Sequence, residues 1–322
     1  MNTPALDRFR SRLAAGEPAL GLWVTLESAS ITEMAVALGF DWVAIDIEHG
    51  HLDWREVLDH VRAAARSETI VLVRVTDVDK GIIKRALDIG ADGILVPWVE
   101  TVEQLKEAVR YARYPLDGER GIGGERATCW GQCLAQHVDE ANANVLVIPI
   151  IESVKGGRNV AQMLRVPEVD TYFFGPSDFS SSAGFGGQWE GPGIAEEILA
   201  IKDKLLAAGK HCGLIATDDD NLETRIRQGF RMTAVGLDGG LLIRGLRAAL
   251  ARLGRDRTMS PTLAGRDASA AIPAGGGGYG GGSDVSNNAI QEPASVLAPG
   301  VRHQRTEVRA GAVSTGRLEL DG

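Results

Sequence analysis

Phe40-Asp-Trp-Val-Ala-Ile-Asp-Ile-Glu-His-Gly50, running through His51 and Leu52 into Asp53-Trp-Arg-Glu-Val-Leu-Asp-His-Val-Arg62, contains the unit from which the fold can be read. Residues 42–46 are an apolar, partly β-branched run that closes on an acid, the pattern of a buried strand. From residue 53 the period changes. Trp54, Val57, Leu58, Val61 and Ala65 fall on one face of a helix over 53–66. The polar cluster Asp46-Ile-Glu48-His49 lies at the junction, between the end of a strand and the start of a helix.

The same rhythm extends in both directions. Strands are predicted at 19–24, 42–46, 70–74, 93–96, 145–151, 171–174, 212–216 and 233–237. Helical patterns follow, at 53–66, 79–89, 101–113, 195–208, 219–229 and 241–253 among others. Gly39, Gly90, Gly209 and Gly229 stand where helices stop, since glycine accepts the left-handed backbone that ends a helix at little cost. Eight such units in roughly 250 residues is the arithmetic of a (β/α)8 (TIM) barrel. An open doubly wound sheet that binds dinucleotides would show Gly-x-Gly-x-x-Gly after its first strand, and Gly21-Leu-Trp-Val-Thr does not. A long insertion between Tyr114 and Ala143 interrupts the rhythm, of the size that forms lids or binding loops.

The chain has 322 residues and changes character near Ser260. Residues 1–258 are read as the barrel, and 259–322 as a Gly-rich linker and C-terminal tail, either disordered or part of a small β element. With 34 Lys and Arg against 43 Asp and Glu, the net charge is −9, and no basic run is available to follow a phosphate backbone, so no nucleic-acid partner is expected. No stretch is apolar for long enough to span a bilayer, and the first residues carry no secretory pattern, so a cytoplasmic protein is expected. Cys129, Cys133 and Cys212 are too few, and odd in number, for a disulfide framework; reduced thiols are expected.

In a barrel of this kind the active site lies at the carboxyl ends of the strands. That placement gathers His49, Arg74, Glu152 and Asp178 from four strands onto one face. Two carboxylates suit a hard dication such as Mg²⁺ or Mn²⁺, which keeps positions for water or substrate oxygens. A histidine can move a proton near neutral pH, and an arginine offers a rigid fork to a carboxylate or enolate oxygen. Together they suggest carbon–carbon bond chemistry next to a 2-oxo acid. Each residue also has a structural reading: Glu152 and Asp178 as surface acids, His49 as a helix cap, Arg74 in a buried ion pair. Arg120 and Arg126, in the Gly-rich insertion, could clamp an acidic substrate or a neighbouring subunit. Trp130 and Trp189 read as packing or interface residues. No lysine stands at a strand end to form an imine.

The blocks at 40–50, Val73-Arg-Val75, Gly93-Ile-Leu-Val-Pro-Trp-Val99, Arg120-Gly-Ile-Gly123, Ile151-Glu-Ser153 and Phe174-Gly-Pro-Ser-Asp-Phe-Ser180 resemble the HpcH/HpaI aldolases, in order, from about Gly21 to Leu250. The resemblance implies a class II pyruvate aldolase that uses Mg²⁺, Mn²⁺ or Co²⁺ and splits a 4-hydroxy-2-oxo acid into pyruvate and an aldehyde. It implies His49 as the base, Asp88 as its partner, and Arg74 on the 2-oxo acid and enolate. It places the metal on Glu152 and Asp178, the substrate near Gly175, Ser177 and Asp178, and Trp23 on the aldehyde pocket. It implies a homo-oligomer, a trimer or hexamer. Ile150 stands where the heptanedioate enzyme has a glutamine, so a substrate hydrogen bond is expected to be missing. The rival readings are decarboxylation of a 2-oxo acid such as oxaloacetate at the same site, and a 2-oxo acid binder without catalysis.

Overall fold

The computed structural model of the protein describes residues 1–255. The tail read at 259–322 lies outside the described residues. Eight parallel strands close into a barrel in sequence order: β1 (Ala19–Val24), β2 (Trp42–Asp46), β3 (Ile70–Arg74), β4 (Gly93–Val96), β5 (Leu146–Ile151), β6 (Thr171–Phe174), β7 (His211–Ile215) and β8 (Met232–Leu237). The predicted strands all form, with ends shifted by at most one residue. The helices are α1 (Thr3–Ala14), α2 (Ser30–Ala37), α3 (Trp54–Ala63), α4 (Lys80–Ile89), α5 (Val102–Ala112), α6 (Leu134–Asn144), α7 (Val154–Met163), α8 (Pro176–Ser182), α9 (Ile194–Ala207), α10 (Asp219–Arg227) and α11 (Asp238–Ala251).

Side chains alternate along each strand, so the two faces build two cores. Outward residues such as Val43, Ile45, Val71, Val73 and Ile94 pack under the helices. Inward residues, among them Trp42, Ala44, Ile70, Leu72, Ile148, Ile150 and Phe173, fill the barrel. Gly21 is needed here because the Trp42 ring lies across the interior, and a β-carbon at Gly21 would stand 2.0 Å from it. Carried one step further toward the carboxyl ends, the inward alternation 42-44-46, 70-72-74 and 148-150-152 reaches Asp46, Arg74 and Glu152. The floor of the site is therefore the top layer of the barrel's own core.

Two devices close the structure. Ala5, Leu6, Phe9 and Leu13 of α1 share one cluster with Ala19, Trp42 and Ile70, the first residues of β1, β2 and β3, so α1 plugs the amino-terminal mouth. At the opposite rim, Asp238 accepts hydrogen bonds from Thr25 Oγ1 (2.7 Å) and Leu26 N (2.9 Å), joining the end of β8 to the end of β1.

Several helices start on side-chain caps. Asp53, Asp79, Thr101, Ser153 and Asp218 each accept from a backbone N–H of the first turn, which satisfies donors the helix cannot use itself. This fixes where each helix leaves the rim, and hence where the loops that carry the site begin.

Candidate active site

Arg74 is the centre of the site. Its guanidinium lies 3.3 Å from Asp46, 2.7 Å from Glu48 and 3.5 Å from Glu152. It stands 5.8 Å from the centre of the Trp23 ring, within cation–π range. Arg74, Asp46 and Glu152 are all buried. One cation thus faces three carboxylates, and Asp178 adds a fourth charge near Glu48 and Glu152.

Asp46 is fully engaged. Oδ2 accepts from Trp23 Nε1 at 2.8 Å, and Oδ1 accepts from the backbone N–H groups of Glu48 (2.9 Å) and His49 (3.0 Å). It therefore orients Trp23 and the turn that carries Glu48 and His49. Glu152 follows β5 directly. Its Oε1 accepts from Trp98 N at 2.7 Å, and Trp98 holds a left-handed backbone (φ 50°) to offer that donor. Such a conformation is uncommon for a bulky residue and clusters at functional sites. Burial pushes the Glu152 carboxyl up to about 7, opposed by Arg74 and Trp98 N and reinforced by Asp178 and Glu48. Burial also raises the Glu48 carboxyl, with Arg74 opposing.

A cavity of about 150 Å³ opens above this layer, lined by Trp23, Arg74, Ile150, Glu152, Gly175, Ser177, Asp178 and Trp189 among others. Gly175 is required by its position: a β-carbon there would stand 2.6 Å from Glu152 Oε2. Asp178 enters from the first turn of α8 and shares this cavity with Glu152.

The structure thus brings together Trp23, Arg74, Glu152, Gly175, Ser177 and Asp178. His49 is exposed on the rim beside Glu48 and does not line the cavity. Asp88 lies on α4, and its carboxylate accepts from Arg120 at 2.8 Å; among the described residues no hydrogen bond joins it to His49. Arg120 is fully buried against Tyr114, and Arg126 donates to Ile89 O at 3.0 Å, so both arginines tie the insertion to its surroundings. Two contributors went unassigned in the sequence reading: Asp46 and Glu48. The signal for Asp46 was its place in the inward alternation. Trp189, read as a packing or interface residue, is instead on the cavity wall.

Among the described residues no three His, Cys, Asp or Glu side chains gather to enclose a metal ion. Glu152 and Asp178 nevertheless form an all-oxygen pair facing one cavity, with more negative charge than Arg74 neutralises. That donor set fits a hard dication which takes two protein carboxylates and fills its shell with small-molecule oxygens.

Residues 19–245 match the HpcH/HpaI aldolase/citrate lyase family along the whole barrel. The chain belongs to that family. Within it, the chain is 36% identical over 240 residues to a hydroxypyruvate/pyruvate aldolase of Roseobacter denitrificans, covering 74% of this chain and 93% of the relative. It is 34% identical to a 4-hydroxy-2-oxo-heptane-1,7-dioate aldolase of Salmonella arizonae, covering 79% and 97%. Among solved structures, an HpcH/HpaI aldolase/citrate lyase family protein of Burkholderia cenocepacia superposes with a TM-score of 0.73 at 34% identity, over 77% of this chain and 99% of that one. The HpcH/HpaI match ends before the Gly-rich tail, so the family relationship concerns the barrel and its site.

Proposed function

We propose that the protein is a carbon–carbon lyase that splits a 4-hydroxy-2-oxo acid into pyruvate and an aldehyde and runs the reverse addition. The observation that carries this reading is the shared cavity of Glu152 and Asp178 above the Arg74 guanidinium, at the carboxyl end of an HpcH/HpaI barrel.

Each group has a task that suits its chemistry. Glu152 and Asp178 would hold a divalent cation, Mg²⁺, Mn²⁺ or Co²⁺, which when bound polarises the 2-oxo group and lowers the energy of the enolate. Arg74, fixed by its acids, directs its remaining N–H donors at the 2-oxo acid and stabilises the negative charge on the enolate oxygen. Ser177 and the backbone around Gly175 receive the substrate carboxylate. Trp23 and Ile150 line the wall, and Ile150 offers an apolar side chain where a polar one would hydrogen-bond. His49 takes the proton of the 4-hydroxyl group at the rim. As the C3–C4 bond breaks, the aldehyde carbonyl forms and the electron pair passes into the enolate. A proton delivered to C3 then gives pyruvate. Asp88 is the proposed partner of His49 by family resemblance, while its contact in this structure is Arg120.

We also propose a cytoplasmic homo-oligomer, a trimer or hexamer. Leu242, Ile243, Leu246, Leu250 and Leu253, exposed on and just after α11, support an assembled state, which light scattering reads directly. Among the described residues no helix is long and apolar enough to cross a membrane.

The test is a panel of 4-hydroxy-2-oxo acids with varied tails, with pyruvate detected and oxaloacetate included for decarboxylation. Cleavage should stop with excess chelator and return with Mg²⁺, Mn²⁺ or Co²⁺. Cleavage indifferent to chelator removes the metal from the proposal. Decarboxylation alone, or no turnover on any acid, removes the aldolase.

A further inference from the structure

The insertion between α5 and β5 carries two cysteines that the lyase reading does not use. Cys129 ends a single 3-10 turn, Arg126–Thr128, and Cys133 stands at the amino end of α6. The chain between them folds back tightly. Gln132 N donates to Cys129 O at 3.2 Å, and Cys133 N donates to Thr128 O at 3.1 Å. Cys129 and Trp130 both hold left-handed backbones (φ 51° and 54°), followed by Gly131 at 83°. Two consecutive residues with side chains in that region are held there by their surroundings.

This turn folds Cys133 back toward Cys129. Cys129 is exposed, Cys133 is half-buried, and both line a cavity of about 160 Å³ together with Gln136, His137 and Glu140. His137 follows Cys133 by one helical turn. It is 8% exposed, and its Nε2 has no partner among the described residues. The third cysteine, Cys212, is fully buried on β7, away from solvent. A metal centre is not the better reading of this pair, because no three ligands gather here.

We propose that Cys129 and Cys133 form a reversible dithiol–disulfide pair, oxidised by low-molecular-weight disulfides and reduced by the corresponding thiols. The exposed Cys129 attacks first as a thiolate. It bonds to one sulfur of the small disulfide, whose S–S bond breaks, and one small thiolate leaves. Cys133 then gives up its proton and attacks the Cys129 sulfur, expelling the second small thiol. Two protein S–H bonds become one S–S bond while the small disulfide becomes two thiols, so two electrons and two protons are accounted for. The turn geometry supplies the step that decides the outcome: the fold-back holds Cys133 on the same cavity wall as Cys129, so the mixed disulfide is short-lived.

The full chain is equilibrated with graded ratios of oxidised to reduced glutathione, quenched in acid, alkylated after denaturation, and read by intact mass and peptide mapping. Two of the three alkylatable thiols should disappear together, the mass should fall by two hydrogens, and the link should join Cys129 to Cys133. A reducing thiol should restore all three. Cys133→Ser should stop at one glutathione adduct on Cys129, and Cys129→Ser should react at least about tenfold more slowly, since the remaining thiol is less accessible. The wild-type measurement stands without either variant. Three free thiols at every ratio, stable adducts on both cysteines, or a link through Cys212 overturns the proposal.

Discussion

Asp46 and Arg74 occupy the same rung of the barrel: they are register partners between β2 and β3, and their side chains meet at 3.3 Å. The pair is nearly closed to water, with Glu48 and Glu152 on the other side of the same guanidinium. Arg74 is therefore both the cation that makes the acidic layer tolerable and the donor left facing the cavity.

Replacing Arg74 separates these two tasks. Arg74→Ala should destabilise the fold by about 3 kcal/mol or more, because buried acids lose their countercharge. It should also lower kcat/KM by at least about a hundredfold. Arg74→Lys should recover part of the stability and little of the activity, since a point charge does not replace the planar fork. Urea unfolding and steady-state kinetics on the same preparations check both.

Glu152→Gln should behave in the opposite way. Burial already drives the wild-type carboxyl toward neutrality, so an amide of the same shape replaces it at little structural cost. The urea midpoint should hold or rise while pyruvate release falls by at least about a hundredfold. A matching loss of stability would mean that the carboxylate serves the fold.

Gly175→Ala tests how closely the backbone approaches Glu152. The new methyl would stand 2.6 Å from Oε2 and 2.9 Å from Cβ of Glu152. A cost of about 1–3 kcal/mol is expected from overpacking. That cost should shrink in a Glu152→Ala background, where the carboxylate is gone, and only the contact with the remaining Cβ at 2.9 Å persists. A double-mutant cycle by urea unfolding reads this coupling.

Stability should fall in mild acid because of His137. Burial, assisted by the N-terminal amine and Arg120 and opposed by Asp88 and Glu140, lowers its imidazole from 6.5 to about 4. Between those values the unfolded chain binds a proton that the folded chain refuses. The stability present above about pH 6.5 is therefore lost as the pH falls toward 4, by at most about 1.4 kcal/mol per unit from this group. His137→Gln should flatten that part of the urea midpoint against pH curve.

The barrel was legible because strand and helix leave different periods in the sequence and glycines mark the joins. Helix α1 was missed: no strand precedes it, so the alternation did not ask for it, although Ala5, Leu6, Phe9 and Leu13 have helical spacing. Helix α6, inside the insertion, was hidden for the same reason. In the site, Arg74, Glu152 and Asp178 were found by their place at strand ends. Adjacency in sequence says less about direction: His49 follows Asp46 by three residues yet faces solvent, while Asp46 itself holds Arg74. The Asp88–Arg120 contact joins residues 32 positions apart, and only the folded insertion reveals it.

The packed interior layers around Leu72 and Trp42, with α1 seated beneath them, leave the cavity a doorway at the rim alone among the described residues. Molecules that come in over the rim must go out over it, in reverse sequence. In the proposed reaction the fragment held against Arg74 leaves after the one nearer the opening, because the filled interior of the barrel offers it no second way out.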